Sequence, residues 1–237
     1  MSGTAAYSIA ENLARVRERI DRAAGRAGRR ADEITLVAVS KTFAPEAIRA
    51  AYDAGLRHFG ENRVQEARAK RPELAGLAAT WHLIGHLQSN KARQAAGLFD
   101  RIDTVDSVPL ARKLDAAAQE CGKRLPVLIE VRLGGEASKS GVEAAGLPAF
   151  AERIGQPGAL DFRGLMAIPP YAEDPEQARP YFRRLRELRD ELSRRLGRPL
   201  PALSMGMSHD FEVAIEEGAT EVRIGTALFG TRPNKGE

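Results

Sequence analysis

The sequence predicts an α/β fold: a closed barrel of eight parallel strands, each followed by a helix, with one extra helix ahead of the first strand. Three observations predict it. Eight short apolar or β-branched runs recur along the chain, segments with apolar residues three and four apart fill nearly every gap between them, and no composition shift or Ser/Gly linker divides the 237 residues. Alternation of strand and helix at this rate calls for parallel strands joined by right-handed crossovers. Eight such repeats in about 200 to 250 residues fit a (β/α)8 barrel of the TIM type better than an open sheet.

The elements follow in order. Residues 8–28 place Leu13, Val16, Ile20, Ala23 and Ala27 at helical spacing among arginines and Glu11, Glu18 and Asp21, which gives an amphipathic leading helix. The interspersed acids argue against a transit peptide. Residues 34–39 form a continuous apolar run too short for an independent helix, hence a buried strand. Further strands are expected at 57–60, 81–85, 102–105, 127–131, 162–168, 202–205 and 221–225. Helices are expected at 45–54, 63–70, 90–98, 108–121, 147–154, 175–196 and 210–217. In the longest of these, Phe182, Leu185, Leu188, Leu192 and Leu196 step by three and four. Gly134-Gly135 reads as a long loop after the fifth strand, the barrel spans about 34–232, and the whole of 1–237 reads as one domain.

Composition narrows the function classes. Hydrophobic residues make up 43% and charged residues 29%, so disorder and collagen are excluded. A single cysteine, Cys121, makes neither an internal disulfide nor a thiolate metal cluster, which points to a reducing compartment. It is expected to serve packing near a helix end. No apolar run approaches the roughly 20 residues of a membrane helix, and the amino terminus lacks a secretory core, so a cytoplasmic protein is expected. The net charge of +4 arises from 36 basic and 32 acidic residues that are interleaved, which argues against nucleic acid as a partner. A closed barrel has no sheet edge that demands a partner, so a monomer is expected.

In such a barrel the chemistry sits where strands run out into the following loops. The first strand ends in Ser40-Lys41-Thr42, the second in Gly60-Glu61-Asn62, the seventh in Gly206-Met207-Ser208-His209-Asp210 and the eighth in Arg223-Ile224-Gly225-Thr226. The Lys41 stem would lie along the barrel wall with its amine in the mouth, where desolvation lowers its pKa and makes it a nucleophile for an aldehyde. A lysine there can equally snorkel or pair with Glu61. Ser208 stands where an N-cap would, and Gly225-Thr226 lets backbone approach an anion, so the two loops can cradle a phosphate or can be ordinary caps. An aldehyde that bears a phosphate is pyridoxal 5′-phosphate, although a sugar phosphate on a Schiff-base aldolase fits as well. Arg223 alternates with Val222 and Ile224 and reads as inward, where it needs an acceptor partner. Near a pyridine nitrogen, its charge would keep that nitrogen unprotonated. An outward ion pair with Glu221 is the other reading. The histidines suggest no metal site: His82 and His86 would lie about 13 Å apart along a strand, and His58 and His209 have no partner at ligand spacing. Phe59 and Trp81 read as core.

Seven ordered motifs then carry a resemblance: AVSKTF at 38–43, HFGENRVQEA at 58–67, WHLIGHLQSNK at 81–91, EASKSGV at 136–142, RGLMAIPP at 163–170, SMGMSHDFEVAI at 204–215 and VRIGTALFG at 222–230. The chain resembles the YggS/PROSC family of pyridoxal phosphate homeostasis proteins, also called PLP-binding barrel proteins. The resemblance implies a barrel like the alanine racemase amino-terminal domain, with Lys41 as the Schiff-base lysine. It implies that Ser208, Gly225 and Thr226 hold the phosphate, that Arg223 faces the pyridine nitrogen, and that Asn62 lies beside the cofactor. Arg63, His86 and His209 depart from the residues frequent in the family and bear on the outer pocket. The implied function is intracellular carriage of pyridoxal 5′-phosphate, with apo-enzymes that use it as recipients and no catalytic residues; the alternative is an amino-acid racemase or related enzyme. A racemase needs an acid/base on each face of the substrate carbon, and of the tyrosines only Tyr171 lies just past a strand end.

Overall fold

The computed structural model describes residues 8–134 and 140–230. Residues 135–139 of the expected loop and of the 136–142 motif lie outside the described residues, as do 1–7 and 231–237 at the ends of the expected domain.

Helix α1 (Ile9–Arg26) begins with a capping box, in which the Glu11 amide donates to Ser8 Oγ at 3.3 Å and the Ser8 amide donates to Glu11 Oε2 at 2.7 Å. Its buried stripe is Leu13, Val16, Ile20, Ala23 and Ala24; the first four are those the sequence period marks, while Ala27, the fifth it marks, is the half-buried C-cap. There follow β1 (Thr35–Val39), α2 (Pro45–Asp53), β2 (His58–Glu61), α3 (Val64–Lys70), β3 (Thr80–Leu83), α4 (Ala92–Leu98), β4 (Arg101–Val105), α5 (Val108–Glu120) and β5 (Leu125–Arg132). The second half adds β6 (Val142–Glu143), α6 (Leu147–Ile154), β7 (Leu160–Met166), α7 (Arg179–Arg195), β8 (Ala202–Met207), α8 (Phe211–Glu216), β9 (Glu221–Ile224) and α9 (Thr226–Phe229). Eight strands pair in parallel in the order β4-β3-β2-β1-β9-β8-β7-β5, and β4 pairs with β5 to close the barrel. The ninth strand, β6, adds only two residues beside Val131 and Arg132 and carried no sequence signal of its own.

Side chains alternate between the two faces of each strand. Phe59 and Trp81, partnered in register on β2 and β3, stack at 5.3 Å in the main apolar core. His58, Gly60 and His82 alternate with them and so face the barrel interior, where a Cβ on Gly60 would touch Ile84 and Val37. Leu128, Met166 and Ala202 form a small apolar cluster of their own, separate from the core.

At the amino ends of the strands the interior is ionic. Arg101 donates both Nη atoms to Glu221, at 2.7 and 2.6 Å, and its Nε to Asp103 at 2.6 Å. Asp103 Oδ2 lies 3.2 Å from His82 Nδ1, and His82 Nε2 lies 3.1 Å from His58 Nδ1. His58 therefore does have a histidine partner; it comes from the neighbouring strand, where spacing along the sequence cannot show it. Ligand atoms of His82, Asp103 and Glu221 lie within 4.8 Å of one another, but both carboxylates are bonded to the Arg101 guanidinium. Burial raises the Asp103 carboxyl, yet Arg101 and then His82 overcome this and hold it down at about 2. Burial first, and then His82, push His58 down to about 4.

Cys121 follows α5 and is exposed, so it is not the packing residue its place near a helix end suggests. Among the described residues no helix is long and apolar enough to cross a membrane.

Candidate functional site

The carboxyl ends of the strands carry different side chains from the base. Lys41 stands two residues past β1 and is half-buried. Its neighbour Thr42 has φ of 69°, a left-handed conformation uncommon for a β-branched residue. The Thr42 amide donates to the Glu66 carboxylate, which also accepts from Lys70 Nζ at 2.6 Å, so α3 pins the loop that carries Lys41. Glu61 is buried, and its carboxylate is held by the Ser40 hydroxyl at 2.7 Å and by Lys70 Nζ at 3.0 Å. Burial pushes the Glu61 carboxyl up, while Lys70 and Ser40 pull it back.

Asn62 follows β2. Its Oδ1 is buried without a hydrogen-bond partner among the described residues. Its backbone is fixed by a close approach of the next strand end: a Cβ on Gly85 would fall 2.4 Å from the Asn62 carbonyl oxygen and 2.8 Å from its Cα. Only glycine fits there. Asn62, Arg63, His86, Gln88 and Lys91 line a cavity of about 420 Å³, and His86 Nδ1 reaches Asp106 at 3.2 Å.

Arg223 lies inside, 3% exposed, donating to Ser204 Oγ at 2.8 Å and to the Ala167 carbonyl at 2.9 Å. Both acceptors are neutral. Glu221 is bonded to Arg101, so the outward pairing of Arg223 with Glu221 is not what the fold adopts. Burial lowers the pKa of the guanidinium from its ordinary value, and Asp103 is the first of several acids that oppose this.

Ser208 is not the N-cap of the helix after β8. That place belongs to Asp210, whose Oδ1 accepts from the Met207 amide at 2.7 Å. Ser208 Oγ instead accepts from the Gly225 and Ala227 amides, both at 3.3 Å, across the gap to the next loop. The turn that brings it there needs Gly206, with φ of 88° and a Cβ position 2.6 Å from the Ala214 Cβ. Two backbone amides flanking Thr226 thus converge on one oxygen, with bonds long enough to be exchanged for an anion's. Stacking of Phe43 on Phe229 at 4.7 Å ties the Lys41 loop to α9, and His209 Nε2 lies 3.1 Å from the Ala172 carbonyl and 2.9 Å from that of Glu173, joining the β7 and β8 loops.

Lys41, Asn62, Ser208, Gly225 and Thr226 therefore stand at the carboxyl ends of β1, β2, β8 and β9, with Arg223 within the barrel below. These four strands are contiguous in the order β2-β1-β9-β8. An unpartnered amide oxygen, converging amides and a buried guanidinium suit a polar aromatic ring bearing a phosphate. The sequence reading missed Ser204, the Lys70 clamp on Glu61, and Glu130, an acid within the apolar run of β5.

Comparison with known proteins bears on this arrangement. Residues 11–233 match the family described as alanine racemase, N-terminal domain. The pyridoxal phosphate homeostasis protein of Aquifex aeolicus is 51% identical over 94% of this chain and 97% of its own length. That of Pseudomonas aeruginosa is 49% identical over 95% and 96%. PipY of Synechococcus elongatus, solved with PLP bound, superposes with a TM-score of 0.85 at 43% identity, covering 94% of this chain and all of that one.

Proposed function

The chain belongs to the family of pyridoxal phosphate homeostasis proteins, and from that premise we propose that it holds pyridoxal 5′-phosphate in its barrel mouth and carries it to the enzymes that use it, without turning over a substrate of its own. When bound, the cofactor supplies an aldehyde that a lysine amine can hold covalently and a ring that can draw electrons from an attached amine. Lys41 is the lysine in this reading, on a loop pinned by Glu66. Ser208, Gly225 and Thr226 take the phosphate, and the unpartnered Oδ1 of Asn62 meets the ring's polar edge. Single-domain organisation over 1–237, a cytoplasmic location, a monomeric state and apo-enzymes as recipients belong to the same proposal.

The observation that carries it is Arg223. A buried guanidinium whose hydrogen bonds go to neutral oxygens is a permanent charge, and toward a pyridine nitrogen it keeps that nitrogen unprotonated and the ring a poor electron sink. Tyr171, placed to be considered as a second base, is 79% exposed with its ring against His209. The test sets two measurements side by side on the loaded protein: solvent deuterium incorporation at the α-carbon of alanine, serine or glutamate, and reactivation of an apo-enzyme. The proposal expects reactivation without exchange. Multiple-turnover exchange would show an enzyme.

A further inference from the structure

We infer that the cavity at the carboxyl ends of β5 and β7 is a binding site for a small primary ammonium compound, with Glu130 as its receptor. Glu130 points inward from β5, opposite Met166 in register, and is only 8% exposed. Its Oε1 accepts from Ser140 Oγ at 3.1 Å, whereas Oε2 is buried without a partner among the described residues. That carboxyl lines a cavity of about 280 Å³, whose other walls include Leu133, Ser140, Ile168, Pro170 and Arg132, a cation whose guanidinium is paired with Glu143. A buried acceptor left unpaired carries a desolvation cost that a ligand donor would remove.

The walls select the class of ligand. A carboxylate or phosphate would set a second anion against Glu130, and an alcohol would give the orphan oxygen a bond but no countercharge. An ammonium group gives both. The volume falls just under the roughly 300–1,000 Å³ of sites for drug-sized molecules, so the compound is small. Leu133, Pro170 and Ile168, the last 44% exposed at the rim, offer apolar surface to a short carbon chain.

Among the described residues, the charged groups around Glu130 are settled among themselves or are fixed. Asp106, after β4, is paired with His86; Arg132 is paired with Glu143; Arg223 donates to neutral oxygens below. Burial pushes the Glu130 carboxyl up, Ser140 opposes this, Asp106 adds to it, and Arg223 and His86 oppose it. Ammonium binding favours the ionised form, so affinity falls as pH is lowered through the Glu130 titration. On the carrier reading, on which only this role depends, the site holds an amine at the same end of the barrel as Lys41 and links cofactor release to amine supply.

The test uses the full chain free of cofactor, with ethylammonium as probe and propionate as its anionic counterpart. Nuclear magnetic resonance titration is expected to show saturable shifts at the Val131 and Leu133 amides with ethylammonium and none with propionate. Glu130→Gln, close in shape but without charge, is expected to weaken binding roughly tenfold or more. The wild-type contrast between ethylammonium and propionate decides the matter even where the variant fails to fold. Equal affinity in Glu130→Gln, equal binding of propionate or absence of saturation would each overturn the proposal. Ethylammonium binding in a protein that does not retain pyridoxal 5′-phosphate would sink the carrier reading and leave this site standing.

Discussion

Replacing Arg101 by methionine should cost the barrel more stability than almost any other single change, because the arginine is the countercharge for two carboxylates that have no water to turn to. The Asp103 side chain is 0% exposed and that of Glu221 is 9% exposed, and Arg101 bonds the first once and the second twice. With methionine in place, Asp103 retains His82 at 3.2 Å, while Glu221 loses both guanidinium bonds. Breaking a buried pair from one side costs about 3–5 kcal/mol, a large part of the roughly 5–15 kcal/mol that holds a typical domain together. We expect a loss of about 4 kcal/mol, read as a lower midpoint in urea with an unchanged slope. The triple variant Arg101→Met, Asp103→Asn, Glu221→Gln should recover most of it, since a neutral set leaves no orphan charge. A loss below about 1 kcal/mol, or a triple variant no better than the single one, would mean that Arg101 is not the countercharge these carboxylates depend on.

Two further outcomes follow from the geometry. Gly85→Ala would drive a Cβ into the Asn62 backbone at 2.4 Å, so it should destabilise by about 1–3 kcal/mol and, more tellingly, weaken retention of pyridoxal 5′-phosphate by equilibrium dialysis; retention equal to wild type would mean that Asn62 does not touch the cofactor. His58 is held near 4 against an ordinary 6.5, so the unfolded chain takes up a proton that the fold refuses, and stability present above 6.5 is lost as pH falls toward 4. The full gap corresponds to about 3 kcal/mol, and about 1–2 once solvent screening of a partly exposed ring is allowed for. Urea midpoints across this range should lose their slope in His58→Gln, and an unaltered slope would contradict the assignment.

The barrel was legible because its signals are local. Runs such as Leu36-Val37-Ala38-Val39 and the stripe through Phe182, Leu185 and Leu188 announce their elements whatever surrounds them. Lys41, Asn62, Ser208 and Gly225 were legible for a related reason, since each stands at or just past a strand end where a parallel barrel exposes its loops. What the sequence hid is what strands bring together across the sheet. His58 and His82 are 24 residues apart and touch, and Arg101 finds Glu221 from 120 residues away. The N-cap misreading of Ser208 has the same origin: its hydroxyl serves amides of the following loop, and only closure of β8 against β9 brings those within reach. Glu130 sat in plain view inside an apolar run, but an acid there shows its meaning only when one oxygen is seen to lack a partner.

Lys41 is the residue we propose to carry the cofactor. Load the protein with pyridoxal 5′-phosphate, reduce with borohydride, digest, and map the label by mass spectrometry in the wild type and in Lys41→Ala. The account predicts one labelled peptide, bearing the modification on Lys41, and its disappearance from a folded Lys41→Ala protein along with the near-visible absorbance band. A label on Lys91 or Lys139, or an absorbance band that survives in Lys41→Ala, would contradict it.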